Sequence, residues 1–188
     1  VIAYDPPGFI GERKHNSDMF RHAPLGYLTG LLPRQFFVDD NAAAIDYLES
    51  RNDVDSDRGY GVTGLSLGGQ TTINAAIHDP RIRFIAPVCG IMSNFDFLLS
   101  QLYTVSCIEM VPDIMNMGLD AARKVSLCAP LPCLLVGGAG DEVFTPAATR
   151  EIFDMSSKIY RLYSEEPLLE LYIDDHMGHT YSPAMVNE

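Results

Sequence analysis

The stretch GVTGLSLGGQ sets Ser66 between Gly64 and Gly68, in the spacing Gly-x-Ser-x-Gly. A serine hydroxyl is a poor nucleophile at neutral pH and attacks a carbonyl only when a base takes its proton. Histidine suits that task, and an acid must then hold the imidazole in one tautomer and stabilise the cation it becomes. Both partners occur downstream: Asp141 follows LLVGGAG, and His176 and His179 lie in DDHMGHTYSP. Serine, acid and histidine in this arrangement perform acyl transfer. The alternative reading of Ser66 is a helix N-cap, a common use of serine at a strand-to-helix junction.

The elements around these residues decide between the two. Val1–Tyr4 reads as a short apolar strand stopped by Asp5-Pro6-Pro7-Gly8, and a long polar and aromatic loop extends to about Pro33. In residues 34–50 the apolar stripe Phe37, Val38, Asn41, Ala42, Ile45 and Leu48 predicts a helix. Tyr60–Leu65 reads as a strand running into the Ser66 motif, followed by a helix over Gly68–His78 that stops at Asp79-Pro80. Ile82–Val88 and Leu131–Val136 are apolar without alternation, as in strands buried on both faces. A helix is expected over Ala147–Ser164, with Ile152, Phe153, Ile159, Leu162 and Tyr163 on its apolar side, and a last strand over Leu168–Ile173. Strands alternating with helices predict a parallel sheet with helices on both faces.

In an open parallel sheet the reactive groups gather beyond the C-terminal ends of the strands. Ser66, Asp141 and the His176/His179 pair each follow a predicted strand, so they fall on one rim. Glycines beside Ser66 permit a tight, strained turn that lifts the serine out of the sheet. The Leu67 amide, opening the next helix, is then placed to donate to a developing oxyanion. Asp141 has Glu142 as a neighbouring competitor. His179 is preferred over His176 because it stands further from the strand end, on a loop able to fold back over Ser66. His78, at a helix C-terminus, has a sufficient role there as a cation against the dipole, and His15 and His22 read as loop residues. Met92, Met110, Met115 and Met117 read as ordinary helix core.

The bulk numbers narrow the partners. The 188-residue chain carries a formal charge of −12 and no basic run, which argues against a nucleic acid partner, since binding one requires cationic groups to replace its counterions. A neutral or cationic small molecule suits this surface better than an anion. No run approaches the ~20 apolar residues needed to cross a bilayer, so no membrane partner is expected. Cys89, Cys107, Cys128 and Cys133 show neither CxxC pairs nor zinc spacing and read as buried free thiols. The chain opens on an apolar run with no initiator methionine and reads as entered mid-fold, so that any signal peptide would lie upstream of Val1. The compartment stays open, with the cytoplasm favoured over secretion.

The segments VIAYDPPGFIGER, AAAIDYLESRNDVDSDRGYGVTGLSLGGQTT, HDPRIRFIAPVCG, PCLLVGGAGDEVFTP and DDHMGHTYSP together resemble the α/β-hydrolase superfamily, in its dienelactone-hydrolase-like and acetyl-xylan-esterase-like branch. The chain order Ser…Asp…His is that of α/β-hydrolases. The resemblance implies a single α/β-hydrolase domain over residues 1–188, lacking its N-terminal strands, with residues 91–129 in the place of a variable cap. It also implies a serine hydrolase acting on a carboxylic ester, with Ser66 as nucleophile, Asp141 as acid, His179 as base, and neither metal nor organic cofactor. Dienelactone hydrolases proper use cysteine, so the serine points to the esterase-like members. The family's second oxyanion donor would precede Val1, and its C-terminal helix is cut short. Two rivals are a peptidase of the prolyl-oligopeptidase type and a non-catalytic binding protein that retains the fold.

Overall fold

The computed structural model describes residues 1–4, 26–93, 111 and 113–181. Helix α1 (Pro33–Glu49) is followed by β1 (Tyr60–Leu65), α2 (Leu67–His78) and β2 (Ile82–Val88). Two short helices, α3 (Ile114–Met117) and α4 (Ala121–Leu127), precede β3 (Cys133–Gly138), α5 (Pro146–Tyr160) and β4 (Leu169–Asp174). The four strands form one sheet in the order β1-β2-β3-β4, and every neighbouring pair is parallel. Strands that follow one another in sequence thus lie side by side, joined by helical crossovers, the expected solution for parallel pairing.

Helix α1 starts with Pro33 at its first position, where the missing N–H costs nothing. It buries Pro33, Phe37, Asn41 and Ile45, a stripe of period four that faces α2. Helix α5 opens on a Thr145 cap whose hydroxyl accepts from the Ala148 amide at 3.3 Å, with Pro146 next. The helices touch in series, α1 on α2, α2 on α4 and α4 on α5. Between them and the sheet lies the main core, built from Ile45, Ile73, Ile82, Ile85, Val125, Leu135, Ile152 and Leu169 among others. A second, smaller cluster of Val88, Cys89 and Val136, with Leu65, Leu134, Tyr172 and Met177 against it, sits at the strands' C-terminal ends.

Four expectations shift. Val1–Tyr4 forms no strand: it pairs with none of the described strands, its side chains are exposed, and Tyr4 Oη accepts from Asn41 Nδ2 at 3.3 Å. Strand β3 begins two residues later than expected, after Pro132, and runs on through Gly137 and Gly138, which pair with Ile173 and Asp174. The buried face of α5 is Ala148, Thr149, Ile152, Ser156, Ser157 and Tyr160, while Ile159, Leu162 and Tyr163 are exposed. Small residues win there because α5 packs on α4 closely enough for Ser156 Oγ to donate to the Ala122 carbonyl at 2.9 Å. Met115 and Met117 are exposed rather than core. Of the residues 91–129 expected as a cap, 94–110 and 112 lie outside the described residues, as do Met110, Cys107, His15 and His22. Helix α4 within that range is part of the main layer, burying Ala122 and Val125. Among the described residues no helix is long and apolar enough to cross a membrane.

Candidate active site

Strand β1 ends at Leu65 and α2 begins at Leu67, so the whole reversal is made by Ser66. Its backbone sits at φ 59°, ψ −116°, and its side chain makes no capping hydrogen bond. An N-cap serine has an extended backbone and bonds the helix amides. Ser66 does neither. A non-glycine residue at such a φ costs on the order of 1–3 kcal/mol, which the surrounding structure must impose. The Ser66 amide donates to the Val88 carbonyl at 2.9 Å, and its own carbonyl accepts from the Gln70 amide at 3.1 Å. Leu67 takes the first helical position, where an amide has no intrahelical acceptor.

The crowding that requires glycine falls differently from the motif. A Cβ on Gly64 would stand 2.7 Å from the Gly68 carbonyl carbon, and one on Gly69 would stand 2.9 Å from the Val88 oxygen. Gly68 itself has nothing within 4 Å of that position. Gly64 and Gly69 allow the close approach of strand and helix; Gly68 has room for a methyl group.

Asp141 follows β3 by three residues and is 3 % exposed. Its Oδ1 accepts from the Val143 and Phe144 amides at 2.8 and 2.9 Å, which fixes the carboxylate and leaves Oδ2 to meet His179 Nδ1 at 3.0 Å. Glu142 is exposed. The His179 ring stacks on Phe144, with centroids 5.6 Å apart and planes 19° from parallel. His176 is exposed, and its amide donates to Asp174 Oδ1 at 2.9 Å. The Asp141 partner is therefore His179.

The loop that carries His179 crosses the ends of all four strands. Leaving β4, it lies on the β3 glycines, where a side chain at Gly138 would run into the Met177 and Gly178 carbonyls. The Gly140 amide donates to the Met177 carbonyl at 2.9 Å. Above β2, Cys89 Sγ lies 3.9 Å from the Gly178 oxygen and 3.8 Å from that of Thr180. At β1, Tyr181 Oη lies 2.9 Å from Thr63 Oγ1, which itself donates to the Ala86 carbonyl at 2.7 Å. The histidine loop is thus anchored on the strand that delivers Ser66.

Three contributors had no signal in the sequence reading. Thr63 and Tyr181 were isolated polar residues, and Phe144 was unremarked. Cys89 looked like core, and in burial it is, at 1 % exposed. It nevertheless has φ 44°, and its Sγ lies within 4.8 Å of an Asp141 oxygen and a His179 nitrogen. Burial first, and the neighbouring Asp141 next, push this thiol up to about 11. Cys128 and Cys133 are likewise free and buried, but burial in the apolar core is what raises their thiols. Among the described residues the Cys89, Asp141 and His179 group is where three potential metal ligands converge.

Known proteins share this arrangement of elements. A glucuronoyl esterase from Solibacter usitatus superposes with a TM-score of 0.67 over 82 % of this chain and 46 % of its own, at 20 % identity. The structure of TT1662 from Thermus thermophilus gives 0.66 over 98 % of this chain and 71 % of that one, at 18 % identity. The chain has the α/β-hydrolase fold. In sequence, the chain is 32 % identical over 149 residues to YtaP of Bacillus subtilis, a hydrolase by name, covering 78 % of the chain. It spans about half the length of the curated relatives it matches, 48 % in the case of YtaP. No family model matches it.

Proposed function

We propose that this α/β-hydrolase chain cleaves carboxylic esters through an acyl-enzyme, with Ser66 as nucleophile, His179 as base and Asp141 as its orienting acid. The observation that carries the reading is the fixed Asp141–His179 pair, 3.0 Å apart, with His179 on a loop anchored to β1, the strand that leads into an uncapped Ser66 at φ 59°. A serine that served only to start a helix would need neither the strain nor the pair.

Ser66 Oγ attacks the ester carbonyl carbon while His179 Nε2 takes its proton. Asp141 Oδ2 accepts from Nδ1–H and so keeps Nε2 free as the acceptor. Negative charge gathers on the former carbonyl oxygen, to which the Leu67 amide donates at the helix N-terminus; one such donor contributes roughly 10²–10³ in rate. Collapse expels the alcohol, which leaves with the proton from Nε2. Water then attacks the acyl group with the same base, and Ser66 regains its proton as the acid departs. Neither a metal nor an organic cofactor enters these steps.

The esterase among the structural neighbours supports an ester over an amide, and the charge of −12 favours a neutral or cationic small-molecule substrate. Residues 1–188 act as a single domain, and the part of the 91–129 segment that precedes α4 as the cap-like insertion that selects the acyl and leaving groups; α4 itself belongs to the core. Hydrolysis of p-nitrophenyl acetate tests the reading. The protein should turn it over, and Ser66→Ala should reduce kcat by on the order of 10⁵–10⁶. Equal rates for the two would refute it.

A further inference from the structure

Cys89 takes no part in the chemistry above, yet it occupies an unusual place. It is the residue after β2, at a positive φ of 44°, with its sulfur beside the Asp141–His179 pair. Its sulfur makes long contacts with the Gly178 and Thr180 carbonyls, 3.9 and 3.8 Å. The nearer polar environment is supplied by Asp141 and His179, whose ligand atoms and the sulfur all lie within 4.8 Å of one another.

We infer that Cys89 Sγ, Asp141 Oδ2 and His179 Nδ1 form a binding site for a thiophilic divalent cation, of which zinc and cadmium are the examples, and that its occupation switches the histidine off. Zinc bonds of about 2.0–2.3 Å to N, O and S in a tetrahedron set the ligand atoms roughly 3.3–3.6 Å apart. The 3.0 Å Nδ1–Oδ2 separation would have to widen by a few tenths of an ångström, and the sulfur, within 4.8 Å of both partners, to close to that range by a side-chain adjustment. The Asp141 side chain is fully buried and Cys89 nearly so, whereas the His179 side chain is 29 % exposed, so an ion and its water would reach the site past the imidazole. One soft sulfur, one imidazole and one carboxylate select zinc-like ions over magnesium or calcium, which prefer all-oxygen sites.

The consequence for the base follows from proton positions. On binding, the thiol proton goes to solvent, and the imidazole proton passes through solvent from Nδ1 to Nε2 as the metal takes Nδ1. Nε2 then carries a hydrogen and cannot accept one from Ser66. Asp141 is drawn into the metal's coordination as well. No electron changes hands. This inhibitory consequence rests on the hydrolase reading; the metal site itself does not.

Two readouts keep the two ideas apart. Cadmium is titrated into the protein carrying Cys107→Ser, and the ultraviolet charge-transfer band of a cadmium–thiolate is followed. One equivalent should raise the band, and both Cys89→Ser and Cys89→Ala should abolish it, with circular dichroism showing that each is folded. In parallel, zinc should inhibit p-nitrophenyl acetate hydrolysis where magnesium does not. Cys89→Ser should raise the zinc concentration for half-inhibition at least about tenfold relative to its own metal-free rate. A band that survives loss of Cys89 overturns the site. Zinc inhibition that is absent, or unchanged by Cys89→Ser, overturns the switch. A protein that hydrolyses no ester yet shows the Cys89-dependent band keeps the site and refutes the hydrolase reading.

Discussion

The two ends of the same sheet are built on opposite terms. At the N-terminal end, Arg81 just before β2 meets three carboxylates: Nη2 donates to Asp79 at 2.7 Å, and Nη1 donates to Asp46 at 2.6 Å and Glu49 at 2.8 Å. Those contacts tie α1 to the turn between α2 and β2 through one guanidinium shared by three carboxylates. At the C-terminal end, Ser66 and Cys89 have positive φ, Asp141 is a buried carboxylate, and glycines hold the loops at van der Waals limits. One rim locks the fold and the other holds strain for use. Strain concentrates at functional positions because the rest of the structure over-determines it, so an uncapped serine at φ 59°, ψ −116° argues for chemistry more strongly than its pentapeptide does.

The comparison can be broken most severely at the acid. Asp141→Asn keeps the shape but removes the charge that fixes the His179 tautomer, and should lower kcat for p-nitrophenyl acetate by about 10⁴ with little change in melting temperature. A melting temperature that collapses instead would make Asp141 a structural residue and erase the contrast between the rims. The next largest effect separates two glycines of one motif. Gly64→Ala should cost about 1–3 kcal/mol in urea unfolding, as overpacking does, whereas Gly68→Ala should be neutral or gain a few tenths as a helix residue with space for its methyl. Equal losses would mean that the motif's spacing reflects something other than close packing.

The smallest effect sharpens the other rim. Arg81→Ala should cost about 1–2 kcal/mol, between an exposed and a buried ion pair, and leave ester hydrolysis unchanged. The Arg81 hydrogen bonds hold the Asp79 carboxyl below its ordinary value. Because the folded value is the depressed one, this stabilisation is present above the usual carboxylate range and fades as pH falls through the folded value. The gap in melting temperature between wild type and Arg81→Ala should therefore be full at neutral pH and shrink below about pH 4.

What the sequence revealed depended on whether a residue's role was local. Tyr60–Leu65 and Ile82–Val88 were legible to the residue, because each is a short run closed by turn residues, although Thr63, Arg83 and Phe84 are exposed and the strands are not buried on both faces. The placement of Ser66, Asp141 and His179 followed from strand ends alone. Gly137 and Gly138 read as loop because their strand pairing exists only to let Met177 and Gly178 cross above them. The serine face of α5 was hidden for a similar reason: Ser156 is buried only because Ala122, far away in sequence, offers its carbonyl. Cys89 and Thr63 matter through a loop that arrives about ninety to 120 residues later, and no period or spacing announces that.

The central claim is that the strained rim carries one activated serine. Incubation with a fluorophosphonate, followed by peptide mapping in a mass spectrometer, tests it most directly. The account predicts a single adduct on Ser66, strongly diminished in His179→Ala but retained in His176→Ala. Labelling elsewhere, or none on Ser66 in a folded protein that hydrolyses esters, would contradict it.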